Sequence, residues 1–294
     1  MSDSTIASRA FGRLVRKYRK RAGLPKNAVA FAAETSPQTY GRLEDGLKQN
    51  IPSMMVNVIS DKLRVSDDER RLLLTLAEET RKARNAEGKW WRSHLDEQRT
   101  GFRHYLNLEQ SARRATSLQI ALIPGLLQAT EYRRQLVWAA FPQWTPAEVE
   151  ESLALAALRR ERLADPDFEF RALISEAVLR QRFGGPAVLK DQLSHLLEAS
   201  ERPNVSVRAI PFTATNPVFA LGAPCVLFEF GPLPSTKLIE RPMIFVEELA
   251  GALYLERRAE MDLYMDAIRR AGQLALDVKA TRDLILGIVR ECSE

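Results

Sequence analysis

The sequence predicts a two-part chain: an all-α N-terminal domain of five helices, then a larger α+β domain with a small sheet. Three observations lead there. Residues 1–84 keep helical apolar spacing, broken only by cap and turn signals. Beyond about residue 165, strand-like and helix-like segments alternate. The charge is also unevenly divided. Residues 1–84 hold 17 Lys+Arg against 10 Asp+Glu, a balance of +7, which leaves −2 for the remainder of the 294 residues. Segregated positive charge points to a polyanionic partner.

In the first helix Phe11, Leu14, Val15 and Tyr18 recur at i, i+3, i+4 and i+7, and Gly23 supplies a stop. Seven of the thirteen residues from Arg9 to Arg21 are basic, and all of them but Arg19 are candidates for phosphate attraction. Pro25 opens a second helix, about 25–33, that turns Val29 and Ala33 inward. Ser36 is an N-cap and Pro37 a first helical residue, so a third helix runs to Glu44 and stops at Asp45-Gly46. Two short helices joined by so tight a turn read as a helix-turn-helix. A fourth helix, about 52–63, carries Met55, Val58, Ile59 and Leu63. Ser66 caps a fifth, about 67–84, with Leu72, Leu73, Leu76 and Ala77.

Leu24, Val29, Ala30, Ser36, Tyr40, Leu43, Glu44 and Gly46 stand in the register of the phage-repressor (Cro-like, xenobiotic-response-element, XRE) helix-turn-helix family, which residues 24–46 resemble. The resemblance implies double-stranded DNA as partner and a homodimer on two half-sites. It places Gln38 and Arg42 toward base edges, with Thr39 beside them. Gln suits adenine N6/N7 and Arg suits guanine O6/N7. Lys26 and Asn27 would grip phosphate at the start of the second helix, with Ser36 and Lys48 as further phosphate contacts. Arg19 and Glu44 would form a partly buried salt bridge between the first and third helices, and Tyr40 would point inward. Two positions depart from the pattern. Glu34 stands where the family has Gly in the turn, and Pro37 where it often has a polar base reader.

A charged stretch with Gly88 marks a linker at 85–89, and Trp90-Trp91 are anchors for the next domain, 90–294. Ala112, Ala115 and Leu118 predict a helix over 109–121, which Pro124-Gly125 must break. Helices are expected from about 130 and over 146–164, the latter with Val149, Leu153, Ala156, Ala157 and Leu163 inward. A strand with Phe168, Phe170, Ala172 and Ile174 follows, then helices over 176–182 and 186–200. Further strands fall at 205–210, 225–230 and 243–246, with a weaker one at 237–240. Amphipathic helices at 258–276 and 281–290 close the chain and are expected to carry self-association.

Catalytic chemistry is not expected. Cys225 and Cys292 stand alone, and His94, His104 and His195 have no metal-ligand spacing. There is no nucleophile elbow, phosphate loop or dinucleotide fingerprint, so no cofactor and no metal are expected. The expected location is the cytoplasm, at the nucleoid, with no membrane partner.

Glu109 with Ala112, followed by Ile123-Pro124-Gly125-Leu126-Leu127-Gln128 up to Tyr132, resembles a narrower group. These are actinobacterial regulators that fuse this helix-turn-helix to a DUF5753 domain. Tyr254-Leu255-Glu256 and the closing helices fit the same layout. The resemblance implies a transcription regulator, antitoxin-like in some settings, that works with a small DUF397 partner protein. Three readings follow. The first is a sequence-specific DNA-binding regulator. The second is an antitoxin-type module that sequesters a small DUF397-like partner and uses DNA binding for autoregulation. The third is a small-molecule sensor or enzyme with a cryptic site.

Overall fold

The structure is a computed structural model that describes residues 4–48, 50–86, 100–214, 224–248 and 251–292. Most of the expected linker, with Trp90, Trp91 and His94, lies outside the described residues. The chain divides into two compact units. One is Met1–Ser111 together with Phe230–Arg241; the other is Ala112–Glu229 with Pro242–Glu294.

The first unit is helical. Helix α1 (Ile6–Arg21) begins with a capping box in which Thr5 and Ser8 satisfy each other's backbone N–H groups. Its Phe11, Leu14, Val15 and Tyr18 are buried. Helix α2 (Lys26–Ala32) follows Pro25, which is its N-cap rather than its first helical residue. Ala30 is buried with Val29, whereas Ala33 is only half-buried. The turn passes through Glu34 at φ 47, the left-handed conformation that the missing glycine would have made easier. Helix α3 (Pro37–Glu44) starts on the Ser36 hydroxyl, which accepts from the Thr39 N–H, and ends at Gly46 with φ 70.

Two glycines set how closely α1 and the end of α3 approach. A Cβ on Gly12 would stand 2.5 Å from the Leu43 carbonyl oxygen and 2.6 Å from that of Glu44. One on Gly46 would stand 2.8 Å from the Arg9 Cα. Helix α4 (Ser53–Leu63) buries Val56, Ile59 and Leu63, so Met55 and Val58 flank the apolar stripe instead of leading it. Helix α5 (Asp67–Ala86) opens on a reciprocal Ser66–Glu69 cap. Helix α6 (Thr100–Ser111) adds buried Leu106 and Leu108.

The segment Phe230–Arg241 completes this unit. It folds back through a Pro232–Ile239 bridge, with Lys237 at φ 55. That bridge is all that forms where a strand over 237–240 was expected.

The second unit is built on a six-stranded mixed sheet in the order β3-β2-β1-β4-β5-β6. Strands β1 (Ala112–Gln119), β2 (Glu169–Ser175) and β3 (Val205–Ile210) are parallel. Strands β4 (Cys225–Phe230), β5 (Met243–Glu248) and β6 (Gly251–Leu255) form an antiparallel run. Parallel neighbours need long crossovers. Helices α7 (Thr130–Ala140) and α8 (Pro146–Arg160) supply the first; α9 (Glu176–Arg180) and α10 (Pro186–Ala199) supply the second. Helices α11 (Arg258–Leu274) and α12 (Val278–Glu291) close the chain.

The helix expected over 109–121 is overturned: α6 ends at Ser111 and β1 begins at Ala112. Ala115, Thr116, Ser117 and Leu118 are all buried, because β1 lies inside the sheet with both faces covered. Such a strand loses its alternation, and its spacing then imitates a helix face. In α8, Leu155 is buried and Ala157 exposed, the reverse of the expected inward set at that turn. The apolar faces of the closing helices are also already used. Met261, Ile268 and Ala271 of α11 pack with Leu118, Leu173 and Ile244 of the sheet. Thr281, Ile285 and Ile288 of α12 are likewise buried. Amphipathicity there reports this chain's own core, so it no longer argues for self-association.

Candidate nucleic-acid interface

Helix α3 is held by one side and leaves the other open. Tyr40, Leu43 and Glu44 are buried, while Gln38 and Arg42, one turn apart, are exposed. Among the described residues neither Gln38 nor Arg42 has a hydrogen-bond or ion-pair partner. Thr39 is half-buried, and its hydroxyl oxygen accepts from Ser36 Oγ at 2.9 Å. Ser36 and Thr39 are thus occupied in starting the helix.

Lys26 and Asn27 are exposed at the first turn of α2. The Lys26 ammonium sits beside α3, its Nζ 3.8 Å from where a Cβ on Gly41 would lie. Gly41 is on the Gln38–Arg42 side of the helix, so Lys26 joins those two on one surface. Lys48 is half-buried, with its Nζ 3.7 Å from Met55 Sδ.

Behind this surface lies a charge lock. Arg19 donates to both carboxylate oxygens of Glu44, at 2.5 and 3.0 Å, and to the Leu24 carbonyl at 3.0 Å. The Glu44 side chain has no solvent exposure and that of Arg19 is 12 % exposed. Burial opposes ionisation of Glu44, but the Arg19 guanidinium overrides it and holds the carboxyl below its ordinary range. Burial and the Glu44 charge push the Tyr40 phenol up.

The basic run on α1 is not a free cationic face. Arg13 donates to Glu240 at 3.2 and 3.3 Å, and Arg16 contacts Glu44 and Asp45. Arg21 forks onto Glu69 at 2.7 Å. Arg9 is buried, with its guanidinium 5.6 Å from the centre of the Phe230 ring. Among the described residues, only Lys17 and Lys20 of the seven are exposed with no ion pair, so of this stretch they are the two free to meet an outside anion. Composition alone could not separate paired from unpaired arginines, since the acids lie up to 227 positions away.

The segment around Pro124-Gly125-Leu126-Leu127-Gln128 has a structural role in the second unit. The fully buried Gln192 of α10 accepts from the Ala129 N–H and donates to the Leu127 carbonyl, both at 2.8 Å. Gln128 donates to the Ile123 carbonyl at 2.7 Å, and Arg160 to the Gln128 carbonyl at 2.6 Å. Gly125 leaves room for the Arg159 guanidinium, 3.4 Å from where a Cβ would stand. A buried turn needs its backbone groups paired, and these side chains take the Ile123, Leu127 and Gln128 carbonyls and the Ala129 N–H.

Cys225 is buried in β4, which pushes its thiol up to about 12 and leaves it an inert core residue. Among the described residues no group of His, Cys, Asp and Glu is placed to hold a metal. No described helix is long and apolar enough to cross a membrane.

A family model described as a domain of unknown function, DUF5753, matches residues 102–287. A second, described as a helix-turn-helix domain, matches residues 10–73. No curated protein and no solved structure matches the chain.

Proposed function

From the chain's membership of the DUF5753 family, with a helix-turn-helix domain ahead of that region, we propose a sequence-specific DNA-binding transcription regulator. One observation carries the reading: Gln38 and Arg42 stand exposed on the open side of α3, with the Lys26 ammonium beside them. In this reading α3 enters the major groove, Arg42 reads guanine and Gln38 reads adenine. Lys26 and Asn27 hold phosphate. The regulator is an XRE-type homodimer, because two half-sites multiply affinity and specificity beyond what one module achieves. It acts in the cytoplasm at the nucleoid and is not an enzyme.

The test is selection of bound fragments from sheared genomic DNA by the full chain. Recovery of a discrete, roughly two-fold-symmetric site supports the reading. Uniform recovery of all fragments contradicts it.

The second unit is proposed to bind the regulator's effector or a small DUF397-like partner, in an antitoxin-like arrangement. The apolar points such a surface would use are on α11, where Leu263 is 73 % and Met265 40 % exposed. Co-purification with the neighbouring small gene product, lost in Leu263→Glu, is the check.

A further inference from the structure

A cleft of about 370 Å³ opens on the second unit between the end of α8 and the end of α10. That lies within the range of about 300–1,000 Å³ usual for small-molecule sites. Ala157, Leu163 and Ala199 give it apolar walls.

Arg160 is the fixed cation of this cleft. It is half-buried as the last residue of α8, and burial pushes its pKa down. It donates to the Gln128 carbonyl at 2.6 Å and to Thr130 Oγ1 at 3.3 Å. Both acceptors are neutral, and a guanidinium carries more donors than they use. Among the described residues Arg160 makes no ion pair. The turn at 128–130 therefore holds a partly desolvated positive charge in place with no carboxylate against it. An anion in the cleft offsets that cost.

The other charges decide what kind of anion. Glu161, Glu198 and Arg202 are exposed at the same cleft, and among the described residues none of them forms an ion pair there. His195 also lines the cleft; burial first, then the Arg160 charge, lower its pKa and keep the imidazole neutral. The two arginines and two glutamates thus cancel, so a doubly charged anion such as phosphate finds no excess of positive charge. Their positions do not cancel. Both glutamates stand in solvent, which screens them, while Arg160 is half-buried. At the His195 ring Arg160 acts more strongly than Glu198, Asp191 or Arg202. A single carboxylate matches that one inner cation.

We propose that this cleft binds a small, singly charged organic carboxylate with an apolar body. The carboxylate pairs with Arg160, and the body lies on Ala157, Leu163 and Ala199. The inference rests on the effector reading of the second unit and names its site and ligand class. Arg160 also holds Gln128 and Thr130, so occupancy is felt first at the turn that starts α7.

The experiment titrates the isotope-labelled full chain with hexanoate and follows amide chemical shifts, with hexan-1-ol and inorganic phosphate as controls. Hexanoate binds saturably with a dissociation constant of about a millimolar, as so small a ligand should. Its largest shifts fall at residues 157–164 and 195–202. Both controls bind at least about tenfold more weakly. Arg160→Gln weakens hexanoate about tenfold or more. Ala157→Leu changes an exposed side chain, leaves Arg160 and its bonds in place, fills the apolar part of the cleft and weakens hexanoate to a similar extent. It decides the matter if Arg160→Gln fails to fold. Binding that survives the variants overturns this site and leaves the effector reading standing. Equal binding of hexan-1-ol or phosphate, or no saturable binding in the millimolar range, overturns the carboxylate site. Operator affinity with and without saturating hexanoate is read separately: binding in the cleft that leaves it unchanged supports the site and overturns the effector reading.

Discussion

Glu79 holds Thr236 twice: its carboxylate accepts from the Thr236 N–H at 3.1 Å and from the Thr236 hydroxyl at 3.0 Å. The Ser235 N–H donates to the same carboxylate at 2.5 Å. Glu79 is 6 % exposed, so these bonds are made in a dry setting. Residues 157 apart in sequence thus share one compact helical unit, and Arg13–Glu240 adds a second tie. Glu79→Ala leaves three donors without their acceptor and is expected to cost about 2–4 kcal/mol, read as a lower melting temperature. A fragment of residues 1–111 alone, lacking 230–241, should melt earlier than the same helices in the full chain. An equal transition in both would show that the segment contributes nothing.

The Arg19–Glu44 pair gives a sharper stability test. Removing Glu44 strands a guanidinium only 12 % exposed. Glu44→Ala is expected to cost about 3–5 kcal/mol, more than any loss from exposed α3 positions. Urea unfolding of the N-terminal transition measures it. A wild-type midpoint would refute a structural role for the pair.

Two glycines in helices should respond with opposite signs. Gly12→Ala drives a methyl onto backbone oxygens 2.5 and 2.6 Å away that have no room to move, and should cost at least about 1–3 kcal/mol. Gly287→Ala meets nothing within 4 Å in α12 and should stabilise by about 0.5–1 kcal/mol. Paired thermal melts check both signs.

Acid should weaken the helical unit through His104. Burial, helped by Arg9, depresses its imidazole from the ordinary 6.5 to about 4. Between those values the unfolded chain binds a proton that the folded chain does not, so stability falls as pH drops from 6.5 toward 4. The loss is at most about 3 kcal/mol. His104→Leu should flatten this stretch of the melting-temperature profile. Glu69, held down to about 2 chiefly by Arg21, contributes fully above pH 4.5 and loses its contribution only as pH falls below that.

The helix-turn-helix was legible because its signals are local. Ser36-Pro37 starts α3, Gly46 stops it, and both act through the nearest turn of backbone. The second unit was legible where a strand or helix exposes one face, as in α10. It was illegible in β1, where burial on both faces removes the period, and in β6, where four uncharged residues follow Gly251 with no alternation to read. The membership of Phe230–Arg241 in the helical unit has no sequence signal, since it depends on Glu79 and Arg13 finding partners far along the chain. For the interface, the resemblance to the phage-repressor helix-turn-helix separated Gln38 and Arg42 from Tyr40 and Glu44. It could not show that Ser36 and Thr39 bond each other or that most α1 arginines are paired.

The central claim is that α3 reads base edges through Gln38 and Arg42. The direct measurement is the affinity of full-length wild type, Arg42→Ala, Gln38→Ala and Lys26→Ala for the selected site and for unrelated DNA, across a salt series. Arg42→Ala and Gln38→Ala should each lose about 1–3 kcal/mol on the selected site and almost nothing on unrelated DNA. Lys26→Ala should weaken both DNAs alike and flatten the salt dependence. Full site affinity and preference in both α3 variants would contradict the account.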